Sequence, residues 1–257
     1  NFGAVAEAGL ADTSAQHVIV TRVGDMLPWP KSLLVNTVLK HVKKMIPKFS
    51  IANAIAWPKA LQQGKSLPRV PMQAKATDTA QLQYTGGTTG VSKGAVLAHA
   101  AIMANVAAIE QWSGDSIDPK NDVSLICLPI YHIAAYSNLM ISWTQGTHSV
   151  LVTNPRDIPS LVAAIKKYSP ALFCGVNTLF DALLNSADFR KLDFSTLKLC
   201  IQGGTALRSA TAERWKQCTG NGVVEMYGLS ETSGGITVNH WNQDNPVGSI
   251  GITMSDS

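Results

Sequence analysis

The chain has 257 residues, 46% hydrophobic and 15% charged, with a formal net charge of +4. That length can bury a sizeable core, and so low a charged fraction suggests that much of the surface is covered by something, further sequence being one candidate. The mild positive balance gives no argument for nucleic acid, which is not expected as a partner, and suits anionic small molecules. Cys127, Cys174, Cys200 and Cys218 form no close pair, and three of them sit in apolar stretches. They read as reduced core thiols, neither zinc ligands nor disulfides. In chain order, the first strong signal is a helix over 31–49, with Leu34, Val35, Val38, Leu39, Val42, Met45 and Ile46 at helical spacing. Lys40, Lys43, Lys44 and Lys48 lie nearby, and Pro47 is the expected stop. A basic amphipathic helix suits an acidic membrane surface, and equally a domain surface with its lysines in water. A loop is expected over 58–78, where Pro68 and Pro71 stand among polar residues.

From there the chain alternates. Short apolar strands are predicted at 81–84, 123–128, 149–152, 171–174, 197–201 and 223–226, and helices at 98–111, 133–144, 158–168, 178–185 and 206–217. Asp157 and Pro159 stand where a helix start needs them. This order predicts an α/β fold, a mostly parallel sheet flanked by helices, with ligands gathered where the strands end. No apolar run is long enough to span a membrane and no signal core opens the chain, so the expectation is a cytosolic protein. Contact with the inner face of the membrane rests on 31–49 alone, and an oligomer is compatible with the sequence.

Residues 84–94 read Tyr-Thr-Gly-Gly-Thr-Thr-Gly-Val-Ser-Lys-Gly. The glycines let backbone N–H groups approach an anion, the hydroxyls add donors, and the lysine brings a compact positive charge. The loop suits a nucleoside triphosphate. It is not the ordinary phosphate loop, because Lys93 precedes Gly94, and Gly86, Gly87 and Gly90 are spaced wrongly for a dinucleotide fingerprint. A second block, Tyr227-Gly228-Leu229-Ser230-Glu231-Thr232, follows the apolar stretch 223–226, with Gln202-Gly203-Gly204-Thr205 before it. A third, Leu128-Pro129-Ile130-Tyr131-His132, lies between.

These blocks resemble the motifs of the adenylate-forming acyl-CoA synthetases. Segments 17–25, 153–157, 175–184 and 248–251 are similar to bacterial long-chain fatty-acid CoA ligases. Ser92 stands where many relatives carry proline, and Ser230 where many carry threonine. The resemblance implies ATP as cofactor, with Tyr84, Thr85, Gly86, Gly87, Thr88, Thr89, Gly90 and Lys93 on its phosphates. Gly203, Gly204, Thr205, Tyr227, Gly228 and Ser230 would surround the nucleoside, a tyrosine face and a bare glycine turn both offering flat contact to adenine. Thr85 and Glu231 would hold Mg2+, which takes oxygen ligands and works through one or two protein groups plus phosphates. Lys93, Thr88, Glu231 and His132 are the expected catalytic set, and His132 and Tyr136 the expected lining of the acyl channel. CoA would be the co-substrate and a fatty acid the substrate.

The same resemblance divides the chain into 1–75, the end of a first subdomain, and 76–257, a nucleotide- and acyl-binding core. It places a ribose-binding aspartate, and a further domain carrying the adenylation lysine, after residue 251. The expectation is therefore an internal piece of a ligase that does not turn over by itself. Three other readings stand beside this one: a non-catalytic nucleotide- or lipid-binding piece, an enzyme adenylating another carboxylic acid, and a serine hydrolase using Ser230. The hydrolase lacks the second glycine of its elbow, where Thr232 stands.

Overall fold

The computed structural model describes residues 2–86, 90–241, 243, 245–246 and 248–255. The chain divides into two compact units, residues 1–73 and 74–257. In the first, α1 (Gly3–Leu10) is followed by β1 (Ile19–Val20), α2 (Lys31–Thr37), β2 (Ile55–Ala56) and α3 (Trp57–Gly64). β1 and β2 pair in parallel. A π turn over Val38–Val42 prolongs α2, so the helix expected over 31–49 ends about two turns early. Its stop is Lys44, which adopts a left-handed backbone at φ 48°, and not Pro47. The loop expected over 58–78 is also corrected, because α3 opens it with Pro58 in the first helical turn. There the missing N–H costs nothing and the fixed φ helps.

The second unit opens with a hairpin of β3 (Thr79–Thr85) and β4 (Lys93–Ala98), and α4 (His99–Ser113) follows directly. Then come β5 (Val123–Ile126), α5 (Ile133–Gln145), β6 (His148–Leu151), α6 (Ile158–Tyr168), β7 (Leu172–Gly175), α7 (Asn177–Leu184), β8 (Leu199–Gly203), α8 (Ser209–Thr219), β9 (Val224–Leu229), β10 (Gly234–Val238) and β11 (Ile252–Thr253). The seven-stranded sheet runs β11-β10-β9-β8-β7-β5-β6. It is parallel from β6 through β9 and antiparallel at β10 and β11, so the expected mostly parallel α/β sheet is present with a mixed edge. Asp157 caps α6 by accepting the Ser160 N–H at 3.2 Å, and the Ser160 hydroxyl and N–H hold its carboxyl below the usual range. The helix expected from 206 starts at Ser209 instead. The N–H groups of Leu207 and Arg208 are already committed to Glu225 and Asn177.

Alternation along the strands separates two cores. On one face Phe173, Phe180, Phe189 and Trp215 interlock, with the Phe180 and Trp215 rings edge to face at 4.7 Å between centroids. On the other, Ala108 and Ile109 of α4 cover Leu199, Val224 and Val238. All four cysteines are free. Burial keeps the thiols of Cys127 and Cys200 protonated and pushes Cys174 up to about 11.

One expectation about the motifs needs correcting. The loop of residues 84–94 does not follow a strand of the parallel sheet. It closes the β3–β4 hairpin, a separate two-stranded sheet. A small cluster of Leu97, Ile102 and Ile133, with Tyr136 and Met140 against it, seats that hairpin on α4 and α5.

Candidate functional site

β3 and β4 pair Tyr84 with Gly94 and Thr85 with Lys93, so the hairpin register sets tyrosine, threonine and lysine at the mouth of the glycine loop. The Thr85 hydroxyl donates to the Lys93 carbonyl at 3.4 Å. The ammonium of Lys93 makes no ion pair among the described residues, which leaves its charge available. Gly86 and Gly90 border the loop tip; Gly87, Thr88 and Thr89 lie outside the described residues.

Three loops leave the C-terminal ends of parallel strands. After β5, Pro129 to Ile133 turn the chain into α5, and His132 caps that helix by accepting the Ala134 N–H on Nδ1 at 3.2 Å. A ring that accepts on Nδ1 carries its proton on Nε2, so the exposed histidine offers a donor to the space outside the helix. Tyr136 is one turn further on, half-buried against Leu97, Ile102 and Ile133. After β8, Gln202 turns inward and binds both the carbonyl and the hydroxyl of Thr205, which shapes the Gly203-Gly204 turn. After β9, Ser230–Thr232 form a single 3-10 turn.

Close packing holds β9 and β10 at this point. A side chain on Gly228 would run into the backbone of Gly234 and Gly235. The Thr232 hydroxyl accepts the Leu229 N–H at 3.1 Å and sits 3.0 Å from the carbonyls of Leu229 and Gly234. Tyr227 remains 43% exposed. Glu231 is exposed, and among the described residues its carboxylate has no partner.

The structure brings two of the motifs together, because both strands of the hairpin contact the turn that carries Glu231. The third is tied to the first by side chains. Gln83 donates to the Tyr131 carbonyl at 2.9 Å and accepts from Gln81 at 2.6 Å. Sequence reasoning missed this glutamine pair, and also Glu225, 8% exposed, whose carboxylate accepts the N–H groups of Leu207 at 3.1 Å and Gly248 at 2.9 Å. Asn105 and Ser137 were missed as well; they reach from α4 and α5 to the carbonyls of Gly235 and Ser233. The available signal was polarity out of place at Asn105 and Glu225, each a polar residue between apolar neighbours. Ser230 makes no side-chain hydrogen bond to a histidine among the described residues, and the 3-10 turn is not a strand-to-helix elbow, so nothing here activates it as a nucleophile.

The family model described as AMP-binding enzyme matches residues 4–257, and the chain belongs to that family. It is 43% identical over 255 residues to a long-chain-fatty-acid–CoA ligase of Salmonella typhimurium, covering 99% of this chain and 46% of that protein. The chain thus spans about half the length of the curated relatives it matches. In fold it is similar to the inhibitor-bound N-terminal domain of FACL13 from Mycobacterium tuberculosis, with TM-score 0.74 and 20% identity over 98% of this chain and 60% of the other. It is also similar to ATP-bound MatB from Rhodopseudomonas palustris, with TM-score 0.64 and 26% identity over 78% of this chain and 40% of the other.

Proposed function

We propose that the complete protein activates a long-chain fatty acid with ATP and passes the acyl group to CoA, and that this chain supplies its nucleotide site. The observation that carries the proposal is the contact between the glycine-loop hairpin and the Glu231 turn. It sets the strand that Lys93 opens against the turn that carries Glu231, and neither side chain makes an ion pair among the described residues, which supports a site for a metal-bound triphosphate. The curated relative supports the acid, and the ATP-bound neighbour supports the nucleotide.

In the first half-reaction a carboxylate oxygen of the fatty acid attacks the α-phosphorus of ATP and the bond to pyrophosphate breaks, giving acyl-adenylate. In the second, the CoA sulfur attacks the acyl carbonyl and AMP leaves. The obstacle in the first step is bringing an anion to a polyanion, so positioned positive charge and N–H groups matter more than a general base. Lys93 and the backbone of residues 86–90 would bind the phosphates, with Thr88 and Thr89 adding hydroxyls. Tyr227 and the Gly203-Gly204-Thr205 turn would take the adenine between them, with Gly228 and Ser230 beside it. His132, through Nε2, and Tyr136 would line the path of the acyl chain. The donor set fits magnesium, since the Glu231 carboxylate has no partner among the described residues and the Thr85 hydroxyl is a second hard oxygen. When bound there, the ion would supply charge neutralisation at the phosphates.

α2 and its π turn support a further part of the proposal, peripheral contact with an anionic membrane. Leu33, Leu34 and Val42 are exposed, and Lys31, Lys40 and Lys43 lie on the same short segment.

The deciding experiment is acid-dependent exchange of labelled pyrophosphate into ATP by the complete protein, with acids of graded length. Exchange that rises with long chains is expected. Exchange driven by an aromatic or short dicarboxylic acid alone would assign a different substrate to the same site.

A further inference from the structure

A buried amide on α4 bears on the same site. Asn105 is 9% exposed, with Ile102, Val106 and Ile109 buried on the same helix. Its Nδ2 donates to the Gly235 carbonyl at 2.6 Å, while its Oδ1 is buried with no partner among the described residues. Half of this amide is therefore desolvated for nothing, a cost that an apolar side chain would avoid. From α5 the Ser137 hydroxyl, 4% exposed, donates to the Ser233 carbonyl at 3.2 Å. The two bonds flank Gly234, which sits at φ 138° with Asn105 and Ser137 filling the space where a side chain would go. This reversal follows Ser230–Thr232 immediately. α4 in turn begins directly after β4, the strand that Lys93 opens.

We infer that Asn105 is a positioning residue: its amide fixes the reversal at residues 233–235 to α4 and so keeps the Glu231 turn against the β3–β4 hairpin. The inference deepens the proposed function and rests on it for its kinetic consequence. One helix carries both attachments, so the spacing between Lys93 and Glu231 is set by a rigid element and not by the loop between them. Asn105 acts through the turn, and its loss affects the handling of metal-bound ATP while leaving the acyl path alone.

The test uses the complete protein and Asn105→Leu, which removes the amide while keeping its approximate volume. Amide hydrogen exchange over residues 229–235, with neither nucleotide nor metal present, is expected to speed up about tenfold, the scale of one lost hydrogen bond. Thermal stability should stay near wild type, because the unpaired oxygen disappears with the bond. The KM for ATP or the magnesium requirement should rise, with the KM for the fatty acid unchanged. Thr219→Val provides the control: it removes the buried hydroxyl that bonds the Trp215 carbonyl at 2.9 Å on α8, and should lower stability without moving either readout. Should Asn105→Leu not fold, Ser137→Ala removes the other bond to the reversal and carries the same expectations. Wild-type exchange over 229–235, or kinetics indistinguishable from the Thr219→Val control, overturns the inference. A complete protein that exchanges no pyrophosphate with any acid overturns the functional reading, and the hydrogen-exchange arm then decides alone whether Asn105 holds the turn.

Discussion

Glu231 and Lys93 have little structural work to do, which makes them clean probes of chemistry. Neither side chain is buried and neither makes an ion pair among the described residues, so replacing either should leave the fold unchanged. In the complete protein, Glu231→Ala is expected to lower acid-dependent pyrophosphate exchange by about 10²-fold, the scale of removing one preorganised electrostatic group. Near-normal exchange would take the metal away from Glu231. Lys93→Ala should raise the ATP concentration needed for half-maximal rate and leave the order of preference among acids unchanged. A reordered preference with untouched ATP kinetics would move the glycine loop to the acyl site. These two residues were legible in the sequence because motif chemistry is local. Asn105 was not, because its partner is 130 positions away.

At the scale of elements, the junction of β9 and β10 is the tightest part of the site. Gly228→Ala would force a methyl group into the backbone of the partner strand, and a loss on the order of 3 kcal/mol is expected in denaturant unfolding. A loss under about 0.5 kcal/mol, the range of an ordinary surface change, would show that the strands separate easily there. α2 provides a different test. If its exposed leucines and lysines meet a membrane, the complete protein should sediment with vesicles of anionic phospholipid, and exchanging Lys40 and Lys43 for Glu should abolish this; equal sedimentation with neutral vesicles would remove charge from the account. Between 123 and 226 every predicted strand and helix has its counterpart, since each carries its own apolar period. β4 and β10 went unread because their small and glycine residues show little period, and only pairing with β3 and β9 makes them strands. α3 did leave a signal in Pro58, a residue that starts helices as readily as it breaks them.

At the scale of the whole molecule, the chain that carries the proposed nucleotide site is about half as long as its curated relatives. The chain by itself is therefore expected to form no acyl-CoA from fatty acid, ATP, magnesium and CoA under conditions where the complete protein does, as measured by thioester formation. Turnover comparable with the complete protein would show that these 257 residues suffice. Cys127, just after β5, and Cys200, on β8, lie in the aromatic core, with burial raising both thiols. A thiol reagent reaches the buried Cys127 and Cys200 only when the sheet comes apart. Their modification rate is therefore a clock for opening of the parallel core, and comparing it with and without ATP would report how strongly nucleotide binding holds that core closed.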